Sequence, residues 1–241
     1  MDIISMHYDF DLKFDKVNSQ HRQNFNRAEK DWLLNEARDV VLKQRYGLTN
    51  NYKTGFEGIQ KRIDDLSSIH IKYPVQPYVA LTYHEDENIY ELPLSSLLYD
   101  YWLFTRGVVK VVDDSCNATY EASIAITQSD DLNYRKNDPF NDSNYEEVLA
   151  NFGSSSTGSS IYFYPGNLTL SDAYIEYLRK PARMNYGGYV YIDGVTYPQT
   201  DCDLPEILHT EIVDMAVNIA AGIIENPNYA RTTAEKLFRQ E

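Results

Sequence analysis

The sequence predicts an α+β protein in which helices near both termini form a bundle and a β-rich segment is inserted between them. Two helical patterns, at residues 27–46 and 205–225, flank a run of short alternating segments. Apolar residues that recur at three- and four-residue steps mark one buried helix face, whereas alternation at every second position marks a strand. We therefore expect a single domain over residues 1–241. Its helical part covers 15–70 and 203–241, and its β-rich part covers 71–202.

The long C-terminal helix has the clearest pattern in the chain. The apolar residues that recur at three- and four-residue steps there are Leu208, Ile212, Met215, Ile219 and Ile223. This spacing predicts one buried helix face over residues 205–225. Asn226-Pro227 then ends the helix, because proline lacks a backbone donor. Residues 227–241 are expected to form a short terminal helix or tail.

The first residues of the chain predict a strand. From Ile4 to Phe14 an apolar residue occupies every second position, with mostly polar residues between. That alternation is typical of a half-buried strand, so we expect an N-terminal strand or docking arm here.

Two helices are expected between this strand and residue 70. Asn26 and Glu29 have the spacing of a capping box, and Gly47 supplies a left-handed stop, which together predict a helix over 27–46. A second capping pattern predicts a helix over 54–68.

The middle of the chain predicts strands. Seven short apolar or alternating runs are separated by Pro, Gly, Asn and Asp: PYVALTY, NIYELP, YDYWLFTRGVVKVV, ATYEASIAITQ, SIYFY, AYIEYL and YVYIDGVTY. Two stretches interrupt them. SDDLNYRKNDPFNDSNYEE predicts an exposed excursion with one short helix, and GSSSTGSS, from Gly153 to Ser160, predicts a flexible connector.

Charge and composition limit the class of function. The chain has 22 Lys plus Arg against 36 Asp plus Glu, a net charge of −14. Tight binding of nucleic acid through phosphate contacts needs the opposite balance. No run approaches the length of a membrane span and the start lacks the order of a signal peptide, so we expect the protein to stay where it is made. Cys116 and Cys202 have no metal-ligand spacing, which indicates two free thiols.

No motif in the sequence supports an enzymatic function. Glu206 and His209 have the spacing of a carboxylate-bridged metal site, but that site needs a second copy of the motif and no second E-x-x-H occurs. The nucleophile-elbow, P-loop and dinucleotide glycine patterns do not occur either. A carboxylate pair that meets only in three dimensions stays open. The sequence thus predicts a protein that is not an enzyme and has no cofactor or metal.

A binding module is the alternative. The chain has 21 tyrosines, several of them clustered, and tyrosine combines apolar area with a hydroxyl group. Such residues suit a carbohydrate- or protein-binding tail module of an adhesin type. They suit assembly contacts equally well.

Several segments of the chain resemble one family. They are DKVNSQHRQNFNRAEKDWLLNEARDVVLKQRYG, the Leu92-Pro93 turn, Cys116 after a strand pair, the DDL and DPF excursion, and YLRKP followed by GGY and TDCDLPE. In order and context they resemble a head-to-tail adaptor of tailed bacteriophages, and most closely the ring protein beneath the portal in crAss-like phages. The likeness covers most of the chain and is strongest at residues 15–47 and 177–220.

The resemblance implies a structural virion protein. Such an adaptor forms a ring, usually a dodecamer, that joins the portal to the tail and lines the genome exit channel. Its partners would be further copies, the portal, other neck or tail proteins, and genomic DNA passing without sequence-specific binding. It would be made in the cytoplasm of the host bacterium, reside in the neck of the virion and not contact a membrane.

Two sets of contact residues follow from this resemblance. The C-terminal tail would dock on the portal through Tyr229, Arg231, Leu237 and Phe238. The helices would contact neighbouring ring subunits through Trp32, Arg38, His209 and Glu211.

Overall fold

The computed structural model describes residues 1–17, 25–47, 60–113, 118–155, 158–190 and 194–224. Over these residues the protein is a mixed α+β structure with five α-helices and one nine-stranded sheet, so the α+β class is confirmed, whereas the helical bundle stays a prediction. The chain divides into two compact units. The helical unit comprises Met1–Ile69 and Pro181–Glu241, and the sheet unit comprises His70–Lys180.

The bounds of the elements are as follows. The helices are α1 (Ile3–Val17), α2 (Arg27–Tyr46), α3 (Gln60–Leu66), α4 (Leu132–Lys136) and α5 (Glu206–Ile224). The strands are β1 (His70–Ile71), β2 (Val79–Ala80), β3 (Thr82–His84), β4 (Ile89–Pro93), β5 (Tyr101–Asp113), β6 (Ala118–Ile126), β7 (Glu147–Ser155), β8 (Gly158–Tyr164) and β9 (Thr169–Arg179).

Helix α2 begins and ends where its caps predict. The Asn26 side chain accepts a hydrogen bond from the Glu29 N–H at 2.9 Å, and the Glu29 carboxylate accepts one from the Asn26 N–H at 2.7 Å. At the other end Gly47 has a φ of 145° and donates its N–H to the Lys43 carbonyl at 3.3 Å. The capping box and the glycine stop are therefore confirmed.

The predicted N-terminal strand is wrong, because residues 3–17 form helix α1. Ile3, Met6, Phe10 and Phe14 are buried, and they recur at three- and four-residue steps. An apolar residue at every second position also supplies one at every fourth, so the same letters satisfy a helix once a core is present. Asp2 starts the helix by accepting a hydrogen bond from the Ser5 N–H at 3.0 Å.

Helix α5 lies at the centre of the helical unit. Both α1 and α2 pack against it. Leu208, Ile212 and Ile219 are buried as predicted, whereas Ile223 at the last turn is 39% exposed. Within the described residues the second predicted helix is α3, and residues 54–59 of that prediction lie outside them.

The sheet has the strand order β1-β9-β5-β6-β7-β8-β4-β3, and β2 also pairs with β9. The pair β6 and β7 is parallel and the other pairs are antiparallel. A parallel pair needs a crossover connection, and residues 127–146 with helix α4 supply it. The predicted polar excursion with one short helix is thus confirmed.

The core of the sheet unit comes from the strands themselves. One buried cluster joins residues of strands at the two ends of the order, such as Ile71 on β1 and Leu92 on β4. Phe152 on β7 lies 5.9 Å from the rings of Tyr101 and Phe104 on β5, across the intervening β6. The rings of β5 and β7 thus contact each other on one face of the sheet.

Two predictions in the middle of the chain are wrong. The expected connector at residues 153–160 instead ends β7 and begins β8, with Gly153 opposite Ser160. Gly153 is needed there because a Cβ at this position would lie 2.6 Å from the ring of Tyr162. The expected strand YVYIDGVTY shows, in its described residues, an isolated bridge between Val190 and Thr196.

Candidate functional site

Helix α1 is apolar on two faces. Its inner row is buried, but Ile4, Tyr8 and Leu12 on the outer side are 44%, 71% and 44% exposed. These three residues recur every four positions, so they form one line along the helix. We call them the outer row. A helix that is apolar on both sides is normally covered on both, so the outer row is a surface available to another protein.

An apolar groove opens elsewhere on the helical unit. Its volume is about 430 Å³, and its lining residues are Phe25, Asn26, Ala28, Glu29, Trp32, Leu33 and Ile223. The capping box of α2 fixes the first turn that forms one side, and the last turn of α5 supplies Ile223. Trp32 is 47% exposed at this groove, which makes it the largest apolar side chain available there.

A row of polar side chains on α2 holds the segment at residues 182–189. Asp31, which is 1% exposed, accepts hydrogen bonds from the Tyr186 N–H at 2.8 Å and from the Tyr189 hydroxyl. His7 Nε2 lies 2.7 Å from the second Asp31 oxygen. A carboxylate this deeply buried is stable only with such a full set of partners.

The same row continues along α2. Asn35 donates to the Met184 carbonyl at 2.8 Å and accepts from the Met184 N–H at 3.0 Å. Arg38, two turns after Asp31, donates to the Ala182 carbonyl. Positions i, i+4 and i+7 of one helix thus fix the backbone of an irregular segment, because they lie on one face.

The four residues predicted at the ring interface occupy different environments. Trp32 lies at the groove and is exposed, and the Glu211 side chain is 39% exposed and pairs with Arg45 and Lys61. Arg38 and His209 are each 4% exposed. His209 Nε2 lies 3.0 Å from the Leu204 carbonyl. An interface role for these residues stays a prediction, and Trp32 is the one with free apolar surface.

The predicted portal contacts, Tyr229, Arg231, Leu237 and Phe238, lie outside the described residues. Among the residues that the structure describes, no group of three or more His, Cys, Asp or Glu is placed to hold a metal ion. In the same residues no helix combines the length and the apolar character that crossing a membrane requires.

A Ser, Glu and His cluster in the sheet unit brings together the residue types of a hydrolytic triad. Ser160 donates to Glu91 at 2.6 Å, and His84 Nε2 lies 2.9 Å from the other Glu91 oxygen. The hydrogen bond from Ser160, followed by that with His84, lowers the pKa of Glu91. The carboxylate therefore sits between the hydroxyl and the imidazole, and Ser160 is fully buried, so this arrangement stabilises the sheet and does not activate a nucleophile.

The clustered tyrosines pack on one another. Tyr78 and Tyr174 rings lie 5.6 Å apart, and their hydroxyls donate to Glu121 and Glu176. Burial, followed by the hydrogen bond to Glu121, raises the pKa of Tyr78 to about 12. The hydroxyl groups of Tyr78 and Tyr174 are thus engaged within the sheet unit.

The sequence as a whole matches phage ring proteins. The family model for phage tail ring protein 3/4 matches residues 1–233. The chain belongs to this family. The chain is also 25% identical over 232 residues to ring protein 4/5 of Bacteroides phage crAss001, covering 91% of this chain and 92% of that protein. The resemblance to a crAss-like phage ring protein is confirmed, and the chain is a structural virion component.

Sequence reasoning missed Asp31 and the outer row. The sequence did contain a signal for this site, namely three polar residues at helical spacing, Asp31, Asn35 and Arg38. They lie on the face of α2 next to its apolar face, where polar side chains need hydrogen-bond partners. The outer row was hidden by the strand interpretation, which assigned Ile4, Tyr8 and Leu12 to the same face as Met6 and Phe10.

Proposed function

We propose that this chain is a subunit of a closed ring in the neck of the virion. The ring joins the portal to the tail. The observation that carries this proposal is the pair of unlike apolar surfaces on the helical unit, the outer row and the groove. The family supports the ring itself. The protein acts by its shape and contacts, as a structural protein without catalytic activity or cofactor.

A ring needs two different surfaces on each subunit. A head-to-tail contact joins one surface of a subunit to another surface of its neighbour, and the rotation between them closes the ring. The outer row is a narrow apolar ridge on a helix, and the groove is a concave apolar surface. A helix that lays its apolar side chains into a groove is a common mode of recognition. The outer row of each copy therefore occupies the groove of the next.

The helices carry this contact because they form the ring wall. Packing of α1 and α2 on α5 fixes the outer row and the groove within the helical unit. A dodecameric ring, as the resemblance implies, repeats the same modest contact around the axis, so a small area per contact suffices for a stable assembly.

The acidic charge suits a channel for DNA. A lining rich in Lys and Arg would hold the genome through many phosphate contacts, whereas a chain with a net charge of −14 leaves it mobile. The terminal segment at residues 227–241 docks on the portal, with Tyr229, Leu237 and Phe238 as apolar anchors and Arg231 as a charged contact.

Incorporation into particles tests this function. A phage that lacks the gene is complemented with Tyr8→Ser or Trp32→Ser, and the chain is quantified by mass spectrometry in purified particles. Each variant removes an exposed aromatic ring from one proposed surface, so we expect incorporation to fall roughly tenfold or more, as for an interface hot spot. The folded state should be unchanged because both residues are exposed.

The matched control is Tyr73→Ser, which removes a 63% exposed tyrosine from the sheet unit, outside both proposed surfaces. Incorporation of this variant should equal that of the wild type. Normal incorporation of both Tyr8→Ser and Trp32→Ser would refute the assignment of the ring surfaces, and absence of the wild-type chain from particles would refute the function.

A further inference from the structure

The crossover between β6 and β7 presents the most exposed large apolar side chains of the described residues. Phe140 is 91% exposed, and Tyr134 on α4 is 80% exposed. Single exposed apolar residues are common on protein surfaces, so exposure alone decides nothing. The backbone conformation at Phe140 distinguishes it from such single residues.

Hydrogen bonds to Asp138 fix the tip of the crossover. The Asp138 carboxylate accepts from the Phe140 N–H at 3.1 Å and from the Asn141 side chain at 2.5 Å. The Asp138 carbonyl accepts from the N–H groups of Asn141 and Asp142, both at 3.0 Å. Phe140 is therefore held outward on a tip with a defined conformation, which lowers the entropy that a partner must remove on binding.

Further contacts tie the crossover to the sheet. The Ser143 hydroxyl donates to the Tyr164 carbonyl on β8, and Asn151 on β7 donates to the Ser129 hydroxyl at 2.8 Å. The Lys136 ammonium lies 4.8 Å from the centre of the Tyr164 ring on β8. These contacts position both ends of the crossover and leave Phe140 itself free of them.

The charges around Phe140 indicate which kind of partner surface is complementary to it. The crossover and its flank, residues 128–147, contain six carboxylates against Arg135 and Lys136. A complementary surface is an apolar pocket ringed by lysine and arginine, because opposite charges at the rim direct association. The groove of a second copy does not meet this requirement, since the charged residue of its lining is Glu29.

We propose that Phe140, with Tyr134 six residues before it on the same crossover, is an anchor. This anchor inserts into an apolar pocket ringed by Lys and Arg on a different virion protein. A buried aromatic anchor surrounded by charged contacts is the common form of an interface hot spot. That the partner is a neck or tail component rests on the proposed function.

Photo-crosslinking in complete particles tests this anchor. The photoreactive p-benzoylphenylalanine replaces Phe140 in the chain that complements the phage, and irradiated particles are analysed by mass spectrometry. We expect crosslinks to one other virion protein, at a peptide that contains apolar residues with Lys or Arg nearby. Crosslinks to another copy of this chain, or none in particles that contain it, would overturn the proposal.

The same probe at Tyr8 separates the two proposals. It should crosslink to a second copy of the chain, so its failure counts against the ring surfaces and not against the anchor. In addition, Phe140→Ser should reduce retention of the crosslinked partner roughly tenfold in particles, with more loss at high salt. The neighbouring exposed variant Asn133→Ala should retain it, and equal retention in Phe140→Ser would also overturn the anchor.

Discussion

In the helical unit α1 is apolar on both sides and leaves one of them exposed, whereas the strands of the sheet unit bury their largest apolar residues, such as Phe163 and Tyr177. The outer row and the groove leave extended apolar surface on the helices. In the sheet unit the highest apolar exposure lies at one fixed loop tip, Phe140. The difference teaches that each unit offers a different kind of contact. In the proposed ring the helices would provide the repeated contact between copies, and the sheet unit would provide a single anchor for another protein.

The first prediction compares two phenylalanines of the sheet unit. Phe163 is fully buried in the core, so Phe163→Ala should lower the free energy of unfolding by about 3–5 kcal/mol. Phe140→Ala should change it by no more than about 0.5 kcal/mol, because the side chain touches mainly solvent. Urea denaturation followed by Trp102 fluorescence in a Trp32→Phe background measures both. A similar loss in the two variants would mean that Phe140 packs within its own subunit.

The second prediction concerns the polar row of the helical unit. Asp31→Ala leaves the Tyr186 N–H and the Tyr189 hydroxyl without their acceptor in a buried place, so it should cost about 3 kcal/mol. Trp32 fluorescence in a Trp102→Phe background reports this unit. The control Asp214→Ala removes a 57% exposed carboxylate that pairs with Lys13 and should cost less than about 1 kcal/mol. Equal costs would show that residues 182–189 are held by other contacts.

The third prediction compares a closely packed glycine of the sheet unit with an uncrowded glycine of the helical unit. Gly153→Val places side-chain atoms against the Tyr162 ring and should cost about 1–3 kcal/mol. Gly222 on α5 has open space where a Cβ would lie, so Gly222→Ala should instead stabilise the helical unit by up to about 1 kcal/mol. Thermal unfolding of both variants provides the test. A neutral Gly153→Val would show that residues 153–160 are the flexible connector that their composition suggests.

The smallest effect is a change in acid stability. The pKa of Glu91 is lowered in the folded state, chiefly by Ser160, so its contribution is present above the unfolded-state pKa and is lost as the pH falls through the folded-state pKa. Ser160→Ala should therefore make the loss of stability below about pH 4 shallower. Exposed Ser159 serves as the control, and Ser159→Ala should keep the wild-type profile. Identical profiles for the two variants would exclude Ser160 as the cause of the shift.

Local signals in the sequence predicted much of the fold. The capping box and Gly47 located α2, and the spacing from Leu208 to Ile219 located α5, because caps and periodicity act within a few residues. Most strands with alternating residues were found as well. The alternation in ATYEASIAITQ places Tyr120, Ala122, Ile124 and Ile126 on one face of β6, but Tyr120 and Ile126 are exposed and only Ala122 and Ile124 are buried. Burial at strand ends depends on how the neighbouring strands cover them, which the local pattern does not contain.

The missed features depend on contacts between distant residues. Helix α1 needs the core formed with α5 to choose between two periods that its sequence satisfies equally. Strand β7 pairs with β6 in parallel and with β8 across Gly153, and its serines and glycine resemble a linker until the Tyr162 ring is in place. The groove joins Trp32 with Ile223, which are far apart in the chain, so a sequence pattern cannot reveal it. Trp32 itself was predicted as a ring-interface residue through the family resemblance.

Cysteine crosslinking in purified particles tests the ring surfaces most directly. One cysteine replaces Tyr8 and another replaces Trp32, in a background with Cys116→Ser and Cys202→Ser, and the particles are treated with a short bismaleimide. If the outer row of each copy occupies the groove of the next, the double variant yields a ladder of covalent multimers on a denaturing gel, while each single variant stays monomeric. Dimers from a single variant, or monomers alone from the double variant, would show that the copies do not meet through these two surfaces.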